Sequence, residues 1–179
     1  MSERILFEER QKFGSPSLNI SMGALYLGVM GIFGYGLYQQ LILGVAFGNK
    51  PMSDFGLILT SFLVLLILIF SGLLLYSSNL QVTVTRSGIQ YRFWPYFKKV
   101  KQILPHEISK YEIRKYKPIR EYGGWGVKKG NKLSDMAYNV HGNIGLQLEM
   151  KDGRRILFGT QRQDALLHAI KKMMESKDE

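Results

Sequence analysis

The sequence predicts an α-helical transmembrane hairpin followed by a mainly-β barrel of about seven antiparallel strands, capped by a C-terminal amphipathic helix. Three observations predict it. Phe55 to Tyr76 holds 22 residues without a charge, and a helix of that length reaches about 33 Å, enough to cross a hydrocarbon layer of about 30 Å. Phe13 to Asn49 is also free of charge. Beyond residue 78 the apolar residues alternate with polar ones in short runs separated by turn residues, the period of strands with one buried face.

The charge divides the chain in the same way. The first 79 positions carry four basic and four acidic residues, so 20 of the 24 lysines and arginines, 10 of the 14 acids and the whole net charge of +10 belong to residues 80–179. A tail of that sign favours anionic partners, and nucleic acid, anionic lipid and an acidic protein all satisfy it on charge alone. With no cysteine, disulfides and thiolate metal sites are excluded, which fits a reducing compartment.

Residues 1–17 are expected to be a cytoplasmic N-terminal segment. Arg4, Arg10 and Lys12 stand among three glutamates there, unlike the basic n-region of a secretory signal. A first span is expected over about 18–42 and a second over 55–76, joined by a short outer loop holding Lys50, Pro51 and Asp54. The first is rich in glycine, with Gly23, Gly28, Gly31, Gly34 and Gly36, and Gly44-Val45-Ala46-Phe47-Gly48 has small-xxx-small spacing. Close packing against the second span or another copy is one reading, and contact only within the chain is the other. Three basic residues precede the first span and 20 follow the second, against one between them. The positive-inside rule then places both termini in the cytoplasm.

Residues 77–179 form the second part. Leu80, Val82 and Val84 alternate with polar residues; Arg86-Ser87-Gly88 turns the chain; Ile89, Tyr91 and Phe93 complete a hairpin that Trp94-Pro95-Tyr96-Phe97 breaks. Strands are expected again at 98–104 and 111–116, with a helical turn at Pro105-His106-Glu107-Ile108 between them. From Arg120 to Asp135 the sequence is glycine-rich and aperiodic. Further strands follow at 136–140, 144–150 and 155–158, the last two joined by the Lys151-Asp152-Gly153 turn. Thr160 and Gln163 suggest a capping box before a helix whose apolar stripe is Ala165, Leu166, Ala169, Ile170 and Met173, and the chain is expected to fray from 174.

About seven strands and one closing helix in roughly 100 residues resemble the bacterial pleckstrin-homology-like (PH-like) domain over about residues 78–175. The whole layout resembles uncharacterised bacterial two-span membrane proteins with such a domain at the C-terminus. The residues that carry the likeness are Ser87-Gly88-Ile89-Gln90-Tyr91-Arg92, Pro105-His106-Glu107-Ile108, Ile119-Arg120-Glu121-Tyr122-Gly123-Gly124-Trp125-Gly126, Gly145-Leu146-Gln147-Leu148 and Phe158-Gly159-Thr160-Gln161. The resemblance implies a fold and a bacterial inner (cytoplasmic) membrane, and no activity. Eukaryotic lipid-binding members of that fold draw cations from a longer first hairpin loop, here only Arg86-Ser87-Gly88, so a phosphoinositide ligand is not carried over.

No nucleophile elbow, phosphate loop or zinc-helix motif is present, and His106, His141 and His168 have no ligand-spaced partners. The expectation is a non-enzymatic chain without cofactor or metal. Its candidate lipid- or partner-binding residues are Arg114, Lys115, Lys117, Arg120, Tyr122, Trp125, Lys128, Lys129 and Lys132, with Tyr116 among them. A cation near an anionic leaflet is worth about 1 kcal/mol, and tryptophan and tyrosine favour the headgroup layer. The competing reading turns Trp125 inward as a plug and leaves the lysines to solvate the surface. An assembly module, pairing with a copy of itself or a partner membrane protein through an open strand edge, is the alternative. Nucleic-acid binding has the charge but no reader motif.

Overall fold

The computed structural model describes residues 4–14, 16–130 and 134–175. Two compact units make up the chain, one from the residues before 14 together with those from 77 onward, the other from residues 14–76.

The second unit is helical. Helix α1 spans Pro16–Leu37 and runs into a π-helical turn, Tyr38–Ile42; helix α2 spans Asp54–Ser77. Two stretches are long and apolar enough to cross a membrane, Leu18–Ile42 with 25 residues and Asp54–Ser77 with 24. The Tyr26 hydroxyl meets Ser71 Oγ at 2.7 Å between them. A cavity of about 320 Å³ lies between Val29, Phe33, Ile58, Phe62 and Leu65. Of the glycines in the first span, Gly36 lies against Phe47, where a β-carbon would come within 2.8 Å of the ring, whereas one at Gly23, Gly28, Gly31 or Gly34 would meet open space. Gly44 and Gly48 lie in the connecting loop with φ of +68° and +85°, so their small-xxx-small spacing is not on a helix. Gln40 ties that loop down, its side-chain amide donating to the Met52 carbonyl and to Asp54 Oδ1.

The first unit holds nine strands among the described residues. They are β1 (Ile5–Lys12), β2 (Asn79–Thr85), β3 (Ile89–Trp94), β4 (Phe97–Ile103), β5 (Ile108–Lys115), β6 (Gly126–Lys129), β7 (Asp135–Asn139), β8 (Ile144–Met150) and β9 (Arg155–Gly159). A 3₁₀ turn, Pro105–Glu107, links β4 to β5; short helix α3 spans Pro118–Tyr122 and closing helix α4 spans Gln163–Glu175. One sheet has the order β1-β2-β3-β4 and the other β5-β8-β9-β7-β6. Among the described residues no ladder joins them, so the expected closed barrel is two open sheets. β4 shows why: Lys98, Lys99, Val100, Lys101 and Gln102 are all exposed, a charged edge that takes no further strand.

Two more expectations are corrected. Residues 1–17 were set apart as an N-terminal segment, yet Ile5–Lys12 is β1, antiparallel to β2 with Lys12 opposite Asn79. The strands are also not all antiparallel, since β7 runs parallel to β9.

Alternation places Leu80, Val82, Val84, Ile89, Tyr91 and Phe93 of one sheet against Leu146, Leu148, Ile156 and Phe158 of the other. Helix α4 closes this core with Leu166, Ala169, Ile170 and Met173, each such side chain contributing about 1.5–3 kcal/mol when fully buried, alanine less. Thr160 does not form the expected box with Gln163. Its hydroxyl accepts the Arg162 backbone N–H at 3.0 Å and donates to Glu9 Oε2 at 2.6 Å. The expected fraying from 174 falls mainly on 176–179, outside the described residues.

Candidate functional site

The basic and aromatic segment begins at the end of β5 and crosses α3 into β6. Pro118 takes the first helical position, where a missing N–H costs nothing, and Gly123 follows the helix with φ +69°. The N–H groups of Gly123 and Gly124 close the turn on the carbonyls of Ile119 and Pro118 at 2.9 and 3.0 Å. The start of the stretch that reads as aperiodic is therefore a one-turn helix with ordinary start and stop signals.

Three of the candidate residues, Arg114, Tyr116 and Tyr122, face inward. Arg114 donates to Glu121 Oε2 at 2.8 Å and to Gln147 Oε1 at 3.0 Å, and reaches the Tyr122 hydroxyl at 3.4 Å. Glu121 Oε1 also accepts the Lys117 backbone N–H at 2.7 Å, so this carboxylate both caps α3 and holds Arg114. Burial by itself would lower the arginine's pKa; the bond and charge of Glu121 outweigh it and raise the value. Burial likewise opposes ionisation of Glu121, but hydrogen bonds from Arg114 and the Lys117 amide hold it below the usual carboxylate range. Tyr122 packs with Tyr116, Ala137 and Leu157 in a small second core. Burial pushes both tyrosine hydroxyls up. Asn139, fully buried, fixes this core by donating to the Tyr116 hydroxyl at 3.0 Å and accepting the Gly126 N–H at 2.9 Å.

The other described candidates reach solvent. Lys115, Lys117, Arg120 and Lys129 are exposed and Lys128 is half-buried, while Lys132 lies outside the described residues. Trp125 is 39% exposed and donates its indole N–H to the Gly142 carbonyl at 3.0 Å. It is a lid edge on the 141–143 turn and does not plug the interior. In α3, Ile119 is 71% exposed, an apolar residue next to Arg120 that a reading of charge does not mark.

The exposed group occupies one end of the five-stranded sheet. Arg114 pairs with Gly145 and Gly145 with Gly159, and the Gly159 carbonyl accepts the side-chain amide of Gln11 at 2.6 Å. Lys12 follows, and the chain then leaves for α1. The tie continues along β1, where Glu9 Oε1 accepts the Gln161 N–H at 2.9 Å. An open cleft of about 440 Å³ lies at this end between Gly142–Ile144 and Thr160–Ala165.

A second cleft of about 380 Å³ is lined by Tyr91, Lys101, Glu107, Tyr138 and Arg154. Burial raises the pKa of both its tyrosines. Among the described residues no three His, Asp or Glu side chains converge as a metal site would require. The chain matches no protein-family model and no curated protein.

Proposed function

We propose that this chain is an integral membrane protein of the bacterial inner membrane that presents a basic PH-like domain at the cytoplasmic face, as a non-enzymatic binding or scaffolding element contacting anionic lipid headgroups. Two open sheets closed by a C-terminal helix support the PH-like reading, while β1 and the parallel β7–β9 pair depart from the expected layout. The observation that carries the proposal is the position of the exposed cations. Lys115, Lys117 and Arg120, with Ile119 and Trp125, stand at the sheet end tied through Gln11 to the point where the chain enters α1. Pairing of Lys12 with Asn79 also brings the two ends of the helical segment back together. An even number of crossings satisfies that, which supports termini on one side, and the charge bias supports the cytoplasm.

The test uses the full chain in vesicles. With Trp94→Phe, Trp125 is the remaining tryptophan of the two. Its access to acrylamide is expected to fall as phosphatidylglycerol replaces phosphatidylcholine and to recover in about 1 M salt, where screening reaches about 3 Å. Lys115→Gln with Lys117→Gln and Arg120→Gln should abolish the effect, since three cations supply about 3 kcal/mol. Access indifferent to lipid charge and salt would refute the lipid contact. A tag after Glu179 reached from outside the cell would refute the orientation. The alternative, an assembly module working through an open strand edge, predicts a discrete cross-linked oligomer whatever the lipid; the lysines of β4 weigh against that edge as the one used.

A further inference from the structure

The hairpin between β3 and β4 is an aromatic and cationic tip at the sheet end that leads to the helices. Trp94 is 37% and Tyr96 52% exposed, and Lys98 and Lys99 follow at once, both exposed. The Lys98 ammonium lies 4.9 Å from the centre of the Trp94 ring, so the pair shows an apolar plane and a cation together. Trp94 stands opposite Asn79 in the ladder, and Asn79 stands opposite Lys12. A row of rings extends the same line, Phe13 to Phe93 at 6.4 Å and Phe93 to Tyr96 at 5.2 Å. Phe13 donates its N–H to the Ser78 carbonyl at 3.3 Å where the two chain segments meet.

Chain length and strand register alone bound the distance. Asn79 is two residues past Ser77, the last residue of α2, which is at most about 7 Å of extended chain, and one strand spacing of about 4.8 Å separates Asn79 from Trp94. The tip thus lies within about 12 Å of the helix end, while each headgroup layer is about 6 Å thick. Tryptophan and tyrosine partition to that layer, and lysines beside them are drawn to an anionic one.

We propose that the Trp94–Phe97 tip, with Lys98 and Lys99, is a second contact with the bilayer that seats its aromatic rings among anionic lipid headgroups. This rests on the reading of the helices as membrane spans and of the β unit as a lipid-contacting domain. The β unit would then touch the membrane at two separate places, α3 with Trp125 and this hairpin, so that its orientation as well as its distance is fixed.

The test is made with full-length protein in phosphatidylcholine–phosphatidylglycerol vesicles whose acyl chains are brominated next to the headgroup. In a Trp125→Phe chain, Trp94 should emit to the blue and lose intensity to the bromines. Lys98→Gln with Lys99→Gln should lower the ratio of seated to free hairpin about 25-fold, fivefold per charge. A nitroxide on Tyr96→Cys, the single thiol in a chain without cysteine, repeats the measurement with both tryptophans in place. Its collisions should favour oxygen over a water-soluble nickel chelate. Water-like, unquenched Trp94 emission, or a nitroxide that favours the chelate, overturns the inference. If Trp125 is shielded by anionic lipid and Trp94 is not, the hairpin contact is wrong and the function proposed above stands; the reverse result removes the α3 contact and keeps the hairpin.

Discussion

Glu8 and Glu9 are chemically identical neighbours in β1, yet the pleat sends them to opposite faces, and their replacement should have unequal effects. Glu9 is 8% exposed. Its carboxyl group accepts the Thr160 hydroxyl at 2.6 Å and the Gln161 N–H at 2.9 Å, bonds that span about 150 residues of chain. Glu9→Ala removes both acceptors and leaves the proton of the buried Thr160 hydroxyl without one. At about 1–2 kcal/mol for each such loss, the β unit should be destabilised by about 2–4 kcal/mol, or on the order of 10 °C in Tm. Glu8 is exposed and meets Arg10 at 3.2 Å and Gln81 at 2.9 Å in open solvent. Glu8→Ala should cost no more than about 0.5 kcal/mol. Urea unfolding of the detergent-solubilised full chain, followed by tryptophan fluorescence, reads this unit alone because Trp94 and Trp125 both lie in it. Equal midpoints for the two variants would mean that β1 is not docked between β2 and the start of α4, and the account of the N-terminal strand would fail.

Gly88 and Gly153 both sit in hairpin turns at positive φ, +150° and +83°. A β-carbon at Gly88 would overlap the Ile103 carbonyl oxygen, whereas one at Gly153 meets open space. Gly153→Ala should cost only its backbone strain of about 1–2 kcal/mol, and Gly88→Ala clearly more, because β3 and β4 must separate. Similar urea midpoints for both would sink the β3–β4 register. The Arg114–Glu121 pair should show in the pH dependence. A glutamate held low in the folded state stabilises above its unfolded pKa of about 4.3, and that contribution fades as pH falls through the lower folded value. The stability gap between the natural chain and Glu121→Gln should therefore be full at pH 6 and shrink below about pH 4; a gap constant with pH would exclude an ionised pair.

Periodicity made the helices, most strands and the closing helix legible. The first span, expected over 18–42, coincides with the stretch Leu18–Ile42, which is long and apolar enough to cross a membrane. β1 was not legible, for a reason visible in its side chains. Its inward positions are Phe7, Glu9 and Gln11, two of them polar, so no apolar alternation marks the strand, and its partner β2 begins some 67 residues after it ends. β6 is hidden in the same way behind Lys128 and Lys129. At the candidate site the local signals of α3 were present in Pro118 and Gly123. The inward turn of Arg114 was not, since it depends on Gln147, 33 residues away.

The sequence by itself determined where the chain is apolar, where its charge lies and which short runs could be strands or helices, since these follow from side-chain chemistry at fixed local spacing. Only the tertiary structure decided that the N-terminal residues belong with the C-terminal unit, that the sheets stay open, and which cations of the basic segment remain in solvent. The first and last depend on hydrogen bonds between distant residues, Gln11 with Gly159 and Arg114 with Gln147, and the second on which strand edges meet; local periodicity carries no information about such pairings.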